Sequence, residues 1–265
     1  MEEVLEEMST LRVATVVCTF AVAAVSAGAQ DLTIVSKETS SNGPEKTTTQ
    51  FFTKERVRHN MGDHDTIFEY GAGKITNIDH KKKEYSEITT AEMEAQMQKI
   101  SGEMEKANAQ MQNMPPEVRE RMEKMMGGGT VTVTKGGTRK IAGYDAQQYT
   151  IAMGTNMTVQ TWNTTGLKFP VPEADLKKFM SFASAMAPMA QNPMFKGLSK
   201  MTEEMKKIQG FPLARTTEIK MMGKGSTTSS EAVEVKTAPV PASAFDIPAD
   251  HKKVDSPMMR MGNKK

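Results

Sequence analysis

Residues 90–114 read TAEMEAQMQKISGEMEKANAQMQNM, and the spacing inside that stretch decides the fold. Met93, Met97, Ile100, Met104, Ala107, Met111 and Met114 follow one another at intervals of 4, 3, 4, 3, 4 and 3 residues. On an α-helix such intervals place every one of these side chains on a single stripe. Glu, Gln, Lys, Ser and Asn fill the positions between, which makes the opposite side the wet one. Thr89 or Thr90 supplies the N-cap, with Glu92 or Glu94 within capping-box reach. Gly102 weakens the middle of the run. Met114-Pro115-Pro116 ends it, because the residue before a proline avoids the α region. A second short helix follows over 116–126, stopped by Gly127-Gly128-Gly129.

On both sides of this helical insertion the period changes from 3.6 to 2. Asp31–Thr39 alternates as a strand, and Ser40-Ser41-Asn42-Gly43-Pro44 is a turn. Thr47–His59 is rich in Thr, Phe and Val and reads as one β segment. Ile67–Tyr70, Lys74–Ile78 and Glu84–Thr89 are short strands separated by Gly71-Ala72-Gly73 and Asp79–Lys83. After the insertion, Thr130–Thr134, Arg139–Ile141, Gln147–Met153 and Met157–Asn163 return to strand, with turns at Gly136-Gly137 and Gly143-Tyr144-Asp145. A second helical insertion covers 173–209. Its two stripes run through Leu176, Phe179, Met180, Ala183 and Met186, and through Met194, Leu198, Met201, Met205 and Ile208, with Gly210 as the left-handed C-cap. Leu213–Met222 and Ser226–Lys236 close the series. The expectation is one α+β domain over 31–254. It is a curved antiparallel sheet, a half-open barrel of about ten strands, with the helices of insertions 90–126 and 173–209 covering one face. Residues 255–265 form a disordered tail.

Composition narrows the function. Of 265 residues, 38% are hydrophobic and only 6% aromatic, so the core is aliphatic and filled with some of the 24 methionines. Methionine suits surfaces that adapt to varied apolar partners, and it also substitutes for Leu in ordinary cores. The net charge of +2 has no basic stripe with interleaved aromatics, which argues against a nucleic-acid partner. The longest basic run, Lys81-Lys82-Lys83, falls in a turn.

The first thirty residues read as an address. Val13–Val25 is apolar and is followed by Ala27-Gly28-Ala29, the pattern of a signal-peptide core and its cleavage site. Glu2, Glu3, Glu6 and Glu7 oppose export, whereas a start at Met8 leaves Arg12 as the positive end. We therefore expect translation from Met8 and removal of residues 1–30. That takes away four of the 32 acids and one of the 34 bases, leaving a mature net charge of +5 with no transmembrane segment. Cys18, the chain's single cysteine, goes with it. Val17 before it does not fit a lipid-attachment box. The mature chain is then expected in the periplasm or secreted, without disulfides.

Three stretches carry a resemblance: Lys74–Ile88 (KITNIDHKKKEYSEI), Lys140–Tyr149 (KIAGYDAQQY) with Trp162 further on, and Gly210–Leu213 followed by Phe245–Val254 (FDIPADHKKV). In this order and spacing the chain resembles a family of secreted bacterial proteins of unassigned function, grouped with the outer-membrane lipoprotein carrier fold. The resemblance implies a half-open barrel whose hollow is closed by helices and holds acyl chains or lipidated proteins. No residue here matches the carrier's cargo-gripping arginine.

No catalytic motif stands out, neither G-x-S-x-G, H-E-x-x-H nor a Gly-rich phosphate loop, so the chain reads as a non-enzyme with no cofactor. The expected function is to hold an apolar small molecule or a lipidated protein between sheet and helices. Its candidate lining is Met93, Met97, Met104, Met111, Tyr149, Trp162, Met180 and Phe211. Plain core packing is the ordinary alternative for each, which leaves an envelope structural or stress protein with a filled hollow. A third reading is Cu(I) bound by thioethers, drawn from the sets Met93/Met97, Met122/Met125/Met126, Met221/Met222 and Met258/Met259/Met261. His59, Asp63 and His64, with Asp65 beside them, are weak candidates for a harder metal. A solvated turn explains them equally.

Overall fold

The computed structural model describes residues 30–41, 43–96, 131–154, 156–172, 174–175, 204–221 and 224–256. The strands among them are β1 Leu32–Ser40, β2 Gly43–Phe52, β3 Arg56–Asn60, β4 His64–Glu69, β5 Lys74–Asp79 and β6 Glu84–Thr89. They continue with β7 Val131–Ile141, β8 Tyr144–Met153, β9 Met157–Thr164, β10 Phe211–Met221, β11 Lys224–Thr237 and β12 Lys252–Lys253. All belong to one curved, unclosed sheet in the order β12-β6-β5-β4-β3-β2-β1-β11-β10-β9-β8-β7. Its ladders are antiparallel except β12 on β6. Two runs of neighbouring hairpins, β1–β6 and β7–β11, meet where β1 pairs with β11.

The twelve strands exceed the roughly ten expected, with two strands added to the eleven segments read from the sequence and two of those segments merged. The segment 47–59 is two strands: Thr53 Oγ1 accepts from the backbone N–H groups of Glu55 and Arg56 at 3.2 and 3.1 Å and turns the chain. The Pro-punctuated segment after β11 adds β12. By contrast, Gly136-Gly137 is no turn but a bulge inside the single strand β7, opposite Gln148. A Cβ on Gly136 would stand 2.4 Å from Gln148 Oε1, and the Gln147 amide donates to the carbonyls of Gly136 and Gly137 at 2.7 and 2.9 Å. Further bulges fall on β11 at Val233 and on β10 at Leu213. Each raises local twist and helps a sheet this wide to curve. The β11 bulge also explains why Val233 is 50% exposed.

The main core lies on one face of the β1–β6 half. Cross-strand register lines up Leu32, Phe52, Val57, Phe68, Ile75 and Ile88 as one apolar row. Phe169 and Phe211 close over it, their ring centroids 5.4 and 5.3 Å from that of Phe52. Burying a side chain of this size stabilises by about 1.5–3 kcal/mol, so the row dominates the fold's energetics. We call this the inner face. Tyr149, Ile151 and Val159 form a second cluster with Ile208 near the β7 edge.

The first insertion begins directly after β6. Residues 90–96 are helical. Thr89 and Glu92 make the full capping box: Glu92 N donates to Thr89 Oγ1 at 3.2 Å, and the Glu92 carboxylate accepts from the Thr89 backbone and hydroxyl at 2.8 and 2.9 Å. Met93 is buried in the main core cluster. Residues 97–130 and 176–203, where most of both helical stripes fall, lie outside the described residues, as does the tail from 257. The second insertion returns through Met205 and Ile208 to Gly210. There φ is +87°, and a Cβ would sit 2.5 Å from the Thr164 carbonyl oxygen. Only glycine serves at that position.

Candidate functional site

The inner face is graded along the strands. One pleat beyond the apolar row, about 7 Å away, Ile34 is followed across the strands by Gln50, His59, Thr66, Asn77 and Ser86. From Gln50 onward every member is polar and neutral. Thr66 Oγ1 donates to Asn77 Oδ1 at 3.2 Å. Burial pushes the His59 imidazole below its ordinary value, against the upward pull of the Asp65 carboxylate, so the ring is neutral. His59 Nδ1 is buried with no hydrogen-bond partner. A further pleat on, the row turns charged, with His64 opposite Asp79 and Asp79 opposite Glu84. Apolar, neutral polar and charged side chains thus succeed one another on one surface.

The other face of β3–β6 is built differently. Arg58 and Asp65 stand in phase with Ile67 on the neighbouring strands, at positions where alternation calls for apolar residues, and they are 8% and 1% exposed. Both Arg58 Nε, at 2.9 Å, and Nη2 donate to Asp65 Oδ2. Arg58 Nη1 donates to the carbonyls of Ala244 and Asp246 at 3.1 and 2.9 Å. The buried ion pair therefore grips the segment 238–254, a C-terminal strap. Phe245, on a 3-10 turn Ala242–Phe245, packs under the strap against Ile67 and Ile78, with Arg56 4.4 Å above its ring. His80 Nε2 lies 3.1 Å from Asp65 Oδ2, and its ring meets that of His251 edge to face at 5.2 Å. Asp250 takes both the His251 imidazole, at 2.8 Å, and Lys83, at 2.9 Å, which holds its carboxyl down at about 2. Backbone bonds from Lys252 N to Lys83 O and from Val254 N to Tyr85 O, at 2.9 and 2.8 Å, complete the seam.

The expected site residues distribute unevenly over this plan. Met93 and Phe211 belong to the main cluster and Tyr149 to the second. Trp162 packs on the rim of the main cluster, with Arg139 4.6 Å over its ring. Trp162 pairs with Gln148, and Tyr149 with Thr161, so register puts Trp162 and Tyr149 on opposite faces of the β8–β9 ladder. Met97, Met104, Met111 and Met180 fall outside the described residues, as do the proposed thioether sets except Met93 and the backbone of Met221. Of the metal candidates, His59 lies in the neutral row. Asp63 is taken by Lys81 at 2.8 Å and Lys46 at 3.8 Å, and exposed His64 stands 3.9 Å from Asp79. Strand pairing separates the two histidines by a pleat, and the lysines claim the carboxylate between them. Among the described residues no group of three or more His, Cys, Asp or Glu side chains is placed to hold a metal. Also among them, no helix is long and apolar enough to cross a membrane.

The side chains at the strap that the sequence reading passed over are Arg58, His80 and His251. An available signal was phase: on β3 and β4 an Arg and an Asp occupy apolar positions on strands one turn apart.

Comparison with known proteins places the chain by sequence. No curated protein matches it. Among solved structures, PNGF-II is similar at 10% identity and a TM-score of 0.41, over 88% of this chain and 32% of that one, so this chain spans about a third of its length. An uncharacterized conserved protein from Thermus thermophilus is similar at 8% identity and a TM-score of 0.43, covering 86% and 92% of the two chains. A LolA superfamily protein from Nitrosomonas europaea follows at 7% and 0.23, covering 82% and 89%. The stretches that the strap and the β5–β6 turn bring together, ending at His251, fall within the span 34–251 that matches a known family profile. The chain belongs to that family, described as a domain of unknown function, DUF4412.

Proposed function

We propose that this chain is an exported, non-enzymatic binding protein of the periplasm or extracellular space. Its ligand is apolar, an acyl chain or a lipidated partner, held on the inner face beneath the Met-rich insertions. The observation that carries the reading is the unbroken apolar row from Leu32 to Ile88, with the start of the first insertion seated on it through Met93. Met93, Tyr149, Trp162 and Phe211 are the described members of the proposed lining, and of these Met93 and Phe211 are buried in the main cluster. Methionines on an inserted helix would adapt to chains of different length. The strap on the other face keeps the sheet rigid while the inner face exchanges ligand.

A second reading is a structural envelope protein whose hollow is filled by its own side chains. The closure of Phe169 and Phe211 over Phe52 favours it. Native mass spectrometry of the protein purified from its own envelope, followed by organic extraction, separates the two. A bound mass that extracts as lipid is expected. An apo mass that stays apo after incubation with lipid vesicles would overturn the binding reading in favour of the filled core.

A further inference from the structure

The order of rows on the inner face says what the polar end of the ligand is. We propose that Gln50, His59, Thr66, Asn77 and Ser86 form a subsite for the uncharged, hydrogen-bonding head of an amphiphile whose tail lies on the Leu32–Ile88 row. The inference rests on the reading of the inner face as a ligand surface and deepens it. Three observations support it.

The polar row is adjacent to the apolar row and in register with it across five strands, from β2 to β6. The apolar row is covered in this structure by Phe169 and Phe211, so a tail that enters beneath those rings presents its head to the polar row. None of the five side chains is charged in its prevailing state, because burial keeps the His59 ring neutral. An ionised carboxylate or phosphate placed on this half-buried row would lose water and gain no counter-charge there. Hydroxyl, ester and amide groups would find both donors and acceptors. Last, the row has unused capacity: His59 Nδ1 is buried and unpartnered, and Gln50, Thr66 and Asn77 are only half-buried. The charged groups of this part of the molecule lie elsewhere. Arg58 and Asp65 are spent on the strap through the sheet, and His64, Asp79 and Glu84 stand one pleat further along. The ligand class is accordingly a monoacylglycerol-like or otherwise neutral-headed lipid rather than a free fatty acid.

The test is titration of the full chain with 1-monomyristoylglycerol and with myristate, each below its micelle concentration at neutral pH, read by native mass spectrometry. The same tail with two heads isolates the head. A preference of about tenfold for the glyceride is expected, the scale of one or two added hydrogen bonds. The double variant Thr66→Val with Asn77→Leu removes both partners of one hydrogen bond together, a change that is nearly neutral for folding. It should abolish the preference, read as the ratio of the two affinities. Equal binding of the two probes by the natural chain, tighter binding of myristate, or a preference that survives the double variant would overturn the subsite but leave the apolar-ligand reading standing. Failure to bind either probe would overturn both.

Discussion

The two faces of the β3–β6 half show opposite uses of polar groups. On the strap side a guanidinium and a carboxylate are buried together and aimed at carbonyls of the same chain, so charge is consumed in fastening. On the inner side the polar groups are neutral, in register, and in part unsatisfied. Burying charge in a sheet is costly unless a partner is fixed in place. The chain supplies that partner where the 238–254 segment crosses the sheet, and keeps the two central rows of the other face free of charge. The difference separates a face that buries charge to fasten its own chain, though Asp65 Oδ1 and His251 Nε2 stay unpartnered there, from one that lines up neutral polar groups in register.

The largest way to break this contrast is to unfasten the strap. Asp65→Ala strands the Arg58 guanidinium in a buried site and should lower unfolding free energy by about 3–5 kcal/mol in urea titration. Arg58→Met combined with Asp65→Leu should lose less than Asp65→Ala alone, because no buried charge is left over. If the double variant were the less stable, the pair would be holding the strap by more than charge compensation. Next in size is Gly210→Ala, at the point where the second insertion rejoins the inner face. With φ at +87° and the Thr164 carbonyl 2.5 Å from the new methyl, a loss of about 1–3 kcal/mol is expected by the same measurement. An unchanged midpoint would show that the inner face relaxes there without cost.

Much of the inner face was legible from alternation alone. Phe52, Phe68, Ile75 and Ile88 fall on alternating positions of strands that the sequence already marks. The graded rows were not legible, because they exist only once register is set. His59 and Asn77 are eighteen residues apart in sequence and become members of one row through β4. The strap escaped for a different reason. Its Pro-rich stretch has neither period, and β12 is two residues of parallel pairing that follow from Lys83 and Tyr85, not from local propensity. Yet the residues that clasp it, His80, Lys83, Asp250 and His251, all lie in stretches that carried the family resemblance. Those stretches were visible as motifs before there was a physical reason for them. The division of 47–59 was missed because strand-forming residues flank Thr53-Lys54-Glu55, and the hydroxyl turn at Thr53 is a weaker signal than glycine.

The capping box gives a smaller, sharper probe of the inner face. Thr89→Ala removes the acceptor for Glu92 N and a donor to its carboxylate at the start of the first insertion, and should cost about 1 kcal/mol. If Met93 is held over the apolar row chiefly by this cap, hydrogen exchange at 93–96 should quicken more than exchange in β6. Equal protection before and after would assign the helix's seat to packing by Met93 itself.

The smallest effect is a matter of pH, and its sign follows from burial. His59 is lowered in the folded chain and ordinary when unfolded, about 6.5. Above that value both states are neutral and its contribution to stability is complete. As pH falls below it, the unfolded chain takes up a proton that the folded chain refuses, and stability declines until the folded value is passed. Other groups titrate at lower pH, among them Asp63, Glu87 and Glu92, whose values are depressed by their own partners. Hence the quantity to read is the difference between the natural chain and His59→Gln, which keeps a neutral polar side chain in the row. Urea unfolding at a series of pH values from about 8 to 5 should show the natural chain losing stability more steeply than the variant below about 6.5. Identical slopes would mean that the ring is solvated when protonated. The inner row would then tolerate charge, and the contrast between a face that buries charge and one kept neutral would fail at its centre.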